Sequence, residues 1–135
     1  GGANLLHLPG EDGGCLAIVA GFAGEETNDG HRFRLECNGG GWDESAMDGL
    51  DDLRPRSVCV SGYFPSLNTA VLFGGEVDPS DRGHEGAGGF ENDLLLLDGA
   101  TGAFRERVAP SIADAEWPER RGWSGGDVVT ASGDG

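Results

Sequence analysis

One order of residues occurs twice in this chain. Glycine closes an apolar run at Gly21 and again at Gly75, and an Asn-Asp pair precedes the next strand-like segment at Asn28-Asp29 and at Asn92-Asp93. An aromatic follows at Trp42 and Phe104, and proline with arginine then introduces a new unit at Pro55-Arg56 and at Pro118 to Arg121. The offsets are 54, 64, 62 and 65 residues, so loop lengths vary while the order holds. Such repetition marks supersecondary units that bury their apolar faces against neighbouring units.

Between these markers the chain reads as short strands. Cys15 to Phe22, CLAIVAGF, is an apolar run closed by glycine, and His31 to Cys37, HRFRLEC, sets Phe33 and Leu35 between charged residues, as a strand with one wet face does. SVCVSGYF from Ser57, TAVLFGG from Thr69, NDLLLLD from Asn92 and FRERV from Phe104 follow. The Asp-Gly and Thr-Gly pairs between the last two suit a tight antiparallel connection. Glu44 to Leu53, ESAMDGLDDL, is the best helical candidate, but Gly49 interrupts it and its acidic end opposes the helix dipole.

Composition narrows the class. Twenty-six glycines without a Gly-X-Y period, beside 37% hydrophobic residues, exclude collagen and fit a turn-rich β protein. A net charge of −15 without a single lysine repels phosphate backbones and anionic membranes, so neither nucleic acid nor membrane is an expected partner. No apolar run approaches the roughly 18 residues of a membrane span, and no signal peptide is visible. Cys15, Cys37 and Cys59 are odd in number and lack C-x-x-C spacing. Free thiols in apolar runs behave as small hydrophobes, which points to a reducing, cytoplasmic setting. The chain begins Gly1-Gly2-Ala3 and ends Ser132-Gly133-Asp134-Gly135, which reads as a piece of something longer.

Four short strands per unit, stacked radially, is the logic of a propeller. FGG, then Asn-Asp-Leu, an aromatic strand and P-x-x-R resembles the kelch repeat, whose blades are four-stranded antiparallel sheets in a β-propeller. The architecture is also that of the galactose oxidase propeller, whose copper chemistry needs several tyrosines; Tyr63 is the only one here. The resemblance implies an all-β, kelch-type β-propeller fragment. Residues 1–53 form a first, partly divergent blade, 54–120 a second, and 121–135 the opening strand of the next blade with a tail. An isolated arc of this kind leaves apolar blade faces uncovered.

The second unit carries an enlarged loop, residues 76–91, about ten residues longer than its counterpart in the first, and long loops in compact domains are commonly functional. GGEVDPSDRGHEGAG resembles a motif of one kelch subgroup, the nitrile-specifier, epithiospecifier and thiocyanate-forming proteins. That motif is Glu-x-x-x-Asp-x-x-x-His followed by glycines and, later, Arg-Gly-Trp. Glu76 and His84 fall in register, and Arg121-Gly122-Trp123 stands at the later position. Ser80 occupies the place of the expected aspartate, with Asp78 and Asp81 as the nearest substitutes. The resemblance implies ferrous iron held by Glu76 and His84, assisting rearrangement of a sulfated glucosinolate-type aglycone. Arg56 and Arg121 would grip the sulfate, since guanidinium binds oxyanions bidentately, and Trp123 would line the pocket. Structural readings stand beside these: inter-blade contacts for the arginines, core packing for Trp123, solvated loop for Glu76 and His84. The alternative function is a kelch scaffold that binds a protein partner through its loops without chemistry.

One further motif carries nothing. Gly122-Trp123-Ser124-Gly125-Gly126 matches G-x-S-x-G, yet neither a helix pattern nor a histidine follows Ser124, and a nucleophile elbow needs both.

Overall fold

The computed structural model describes residues 1–10, 13–36, 39–43, 47–78, 82, 86, 88–111 and 116–129. Within them the chain forms two four-stranded antiparallel sheets. The first holds β1 (Asn4–Leu8), β2 (Cys15–Phe22), β3 (Glu26–Glu36) and β4 (Gly39–Asp43), in that order. The second holds β5 (Val60–Phe64), β6 (Thr69–Glu76), β7 (Phe90–Asp98) and β8 (Phe104–Val108), again in chain order. The all-β expectation therefore holds, and each sheet is a plain meander.

Some boundaries differ from the sequence reading. β1 was not anticipated, although NLLHL alternates buried and exposed residues along its length. β3 and β7 start upstream of the apolar runs that signalled them and draw both Asn-Asp pairs into the ladder. The helical candidate resolves into one 3-10 turn, Leu50–Asp52, entered through Gly49 at φ 79°. Glu44, like Cys37, lies outside the described residues.

The two sheets share their irregularities as well as their order. Both second strands slip register at the glycine, between Val19 and Gly21 and between Phe73 and Gly75. Gly75 has φ 99°, and a Cβ there would stand 2.6 Å from both the Cys59 sulfur and the Ser57 carbonyl. Glycine is required at that spot because Ser57 and Glu76 exchange both of their main-chain hydrogen bonds across it, each 2.9 Å.

The joints between units repeat too. The Arg56 N–H donates to the Thr27 carbonyl at 3.0 Å and the Gly21 N–H donates to the Arg56 carbonyl at 2.9 Å. One unit on, the Arg121 N–H donates to Glu91 at 3.1 Å and the Gly75 N–H to Arg121 at 2.9 Å. Two residues further, the Val58 N–H reaches the Gly2 carbonyl at 2.8 Å and the Trp123 N–H reaches Val58 at 3.1 Å. Gly2, Val58 and Trp123 share a left-handed backbone, with φ of 63°, 51° and 59°. Asn28 and Asn92 play one part as well: their side-chain amides donate to the carbonyls of Leu53 and Pro118, at 3.1 and 2.9 Å.

Between the sheets lies one apolar core. Leu6, Leu8, Ala17 and Val19 of the first sheet meet Ala70, Leu72, Leu95 and Leu97 of the second, with Met47, Leu50 and Leu53 of the connection filling the seam. At its edge, Arg56 is 1% exposed and grips Asp93 with both terminal nitrogens, at 2.7 and 3.2 Å. The same guanidinium donates to the Gly74 carbonyl at 3.0 Å, and Arg107 adds a bond to Asp93 at 2.6 Å. Burial alone pushes the Asp93 carboxyl up, but the hydrogen bonds and charge of Arg56, then of Arg107, outweigh it and hold the group below its ordinary value of 3.8.

Two consequences are measurable. Arg56→Ala leaves the buried Asp93 carboxylate with Arg107 alone and is expected to cost about 3 kcal/mol of unfolding free energy by urea denaturation. Asp93 has its pKa depressed on folding, so its contribution is present above the unfolded value of 3.8 and fades as pH falls through the folded value. Asp93→Asn is therefore expected to lower stability at neutral pH and to flatten the acid limb of the stability–pH curve.

Candidate functional site

The meander brings β6 out and β7 back at the end of the second sheet where residues 54–58 and 119–123 also cross. Arg54, Arg120 and the two ends of loop 76–91 therefore come together there. The loop is pinched at its foot. Glu76, buried at the end of β6, accepts the Gly88 N–H on Oε1 at 2.6 Å, and the Val77 N–H donates to the Gly89 carbonyl at 2.8 Å. Glycine fits there because a Cβ on Gly88 would collide with the Asp78 main chain, and one on Gly89 would stand 2.7 Å from Asp78 Oδ2. The carboxylates of Glu76 and Asp78 thus lie against the same Gly88-Gly89 pair.

A belt of charges runs round this foot. Arg54 donates to Asp78 Oδ1 at 2.7 Å and to Glu91 Oε1 at 2.9 Å. Arg120 stands 3.4 Å from Glu91 Oε2 and donates to the Phe90 carbonyl at 3.1 Å. Trp117 donates its indole N–H to the Asn92 carbonyl, next to Glu91, at 2.6 Å. Arg54, Glu91 and Trp117 carry no motif that marks them in the sequence, since their proximity to the loop foot arises from the fold; the nearest signal is the adjacent Pro55-Arg56 marker.

The residues expected at the site separate into three groups. Ser80, Asp81 and His84 lie outside the described residues. Glu76 and Asp78 sit at the loop foot, on Gly88 and Arg54. Arg56 is in the inter-sheet core with its donors on Asp93 and Gly74, whereas Arg121 is exposed, its Nε on the Glu119 carbonyl at 2.9 Å. Trp123 is 75% exposed. Its backbone is set by the bond to Val58, and neighbouring Gly122 passes so close to the Phe90 ring that a Cβ would approach to 2.8 Å.

As metal ligands, the described donors do not fit by themselves. Among the described residues no three of His, Cys, Asp and Glu gather to hold an ion. One oxygen of Glu76 is taken by Gly88 and one of Asp78 by a guanidinium that competes with any cation. Nor is Cys59 a soft ligand in waiting: burial pushes its thiol up to about 12, so it stays protonated at neutral pH. Cys15 and Cys59 are free thiols.

No helix among the described residues is long and apolar enough to cross a membrane. Comparison with known proteins is silent: no protein-family model matches the chain, and no curated protein matches it.

If Glu76 clamps the loop, Glu76→Ala should release it. Trypsin cleavage after Arg82 is the readout, and it is expected to accelerate about tenfold or more, the equivalent of one charge-assisted hydrogen bond. An unchanged rate would mean that the Gly88 contact holds nothing.

Proposed function

We propose that the two sheets are neighbouring blades of a kelch-type propeller and that the chain serves as a binding module presenting loop 76–91 to a protein partner. The observation that carries this reading is the fate of the loop's carboxylates. Glu76 and Asp78, the described acids nearest the resemblance to the specifier proteins, are spent on fixing the loop's own foot. The two ends of the loop are fixed by Glu76, Arg54, Glu91 and Arg120, and a fixed base lowers the ordering cost of binding. Buried Arg56 serves the joint between blades in this reading, and exposed Arg121 and Trp123 extend the presented surface beside the loop.

The catalytic alternative, iron-assisted rearrangement of a sulfated aglycone as in the specifier proteins, has one observation in its favour. Two carboxylates converge on Gly88-Gly89, within the segment that includes His84 and Ser80. Two carboxylates with an imidazole suit ferrous iron, and Arg121 and Trp123 would then face the substrate.

Anaerobic calorimetric titration with ferrous iron separates the two. The binding-module reading expects no saturable uptake, and no difference between the parent and His84→Ala. Uptake of one equivalent, lost in His84→Ala and in Glu76→Gln, would replace the scaffold with a metal centre.

A further inference from the structure

The sheets stack front to back, which leaves a matching pair of faces uncovered by a second sheet, with residues 123–129 lying along β5 on one of them. By the shared register, Val19 corresponds to Phe73 and Ala17 to Val71. The side that the first sheet buries is thus the side that the second leaves uncovered, and the converse also holds. The open side of the second sheet carries half-buried Val71, Phe73, Leu94 and Leu96, with Phe64 38% exposed. That of the first carries half-buried Leu16, Ile18 and Phe33, with Leu5 58% and Trp42 55% exposed. Trp42 rests edge-on against Phe33, ring centres 5.2 Å apart, on the same open side. Each face thus groups several apolar side chains, interrupted on the first sheet by His7 and His31, where an ordinary surface scatters them singly.

The charged markers match in the same sense. At the filled junction Arg56 grips Asp93. The register that equates the sheets makes Asp29 the counterpart of Asp93, and Asp29 stands exposed on the open face of the first sheet beside His31 at 2.8 Å. Arg121 is the counterpart of Arg56 and holds its Nε on the carbonyl two residues back, as Arg56 does. One open face therefore offers an aspartate, and the other offers the arginine that the filled junction pairs with it.

We infer that a second copy of this chain covers these faces, the first sheet of one molecule stacking on the second sheet of the next with Asp29 receiving its neighbour's Arg121. The inference rests on the observed packing between the two sheets and not on the ligand of the loop. The contact uses two different patches, so it runs head to tail, closing into a ring where the rotation permits. The neighbour's β1 takes the seat along β5 now filled by residues 123–129, where Gly126 lies over Val60 and Val128 over Gly62. That segment fills the seat thinly: it places Gly126 and Asp127 where β1 has Leu5 and Leu6. Leu8, the counterpart of Phe64, is 1% exposed at the filled junction, which sets the burial expected for Phe64 in the assembly.

Sedimentation velocity of the full chain tests this. A molar mass above 13.9 kDa that rises with concentration is expected. Leu5→Asp and Phe64→Asp, both at exposed positions, each block one face and should sediment as monomers. Mixed, they should form a capped species of twice the monomer mass, because each retains the face the other lacks. Asp29→Arg should weaken association, and Asp29→Arg with Arg121→Asp in one chain should restore it, with circular dichroism confirming that every variant keeps its β signal. A parent that stays monomeric at all concentrations overturns the inference. So does a mixture that gives no capped species, or association indifferent to Asp29→Arg.

Discussion

The structure depends on how Arg56 divides its bonds. Its main chain belongs to the first sheet, through Thr27 and Gly21, and its guanidinium belongs to the second, through Asp93 and Gly74. A buried ion pair gains little over an apolar substitute of equal size, because desolvating both charges offsets their attraction. What it adds is position: a planar fork meeting two carboxylate oxygens admits one arrangement, where leucines against leucines admit many. The flat core of Leu6, Leu8, Leu72, Leu95 and Leu97 thereby acquires a fixed offset between sheets. The connection through Leu50 and Leu53, held by the Asn28 amide, is long enough to span that offset.

The same device explains where the loop stands. Arg54 lies two residues before Arg56, so fixing one guanidinium in the core fixes the start of the other at the surface. Arg54 then reaches both Asp78 near the start of the loop and Glu91 at its end. Loop 76–91 is thus tied at its foot to the joint between sheets, and a ligand that moved the foot would have to work against the core.

Much of the fold could be read from the sequence, and the reason is visible in particular residues. Gly21 and Gly75 were found because the bulge demands left-handed backbone at Gly75, and the Asn-Asp pairs because Asn28 and Asn92 each hold a carbonyl at a joint. These are chemical requirements with few substitutes, so they leave a signal. β1 escaped because NLLHL offers only alternation over five residues, and the turn at Leu50–Asp52 was blurred by acidic neighbours of no fixed structure preference. The site was less readable. Arg56 looked like either a ligand donor or a joint, and only its placement within 3 Å of Asp93 assigns its donors to the core. Sequence order does not say that residues 37 positions apart are in contact.

Joints made of main-chain atoms place little demand on the residue that carries them. At Gly2, Val58 and Trp123 three different residues occupy one left-handed site, because main-chain amides and carbonyls do the linking and no side chain takes part. Valine and tryptophan accept that backbone at some cost. Such a joint tolerates any side chain that bears the left-handed backbone, so its signature lies in the bonding pattern and not in residue identity.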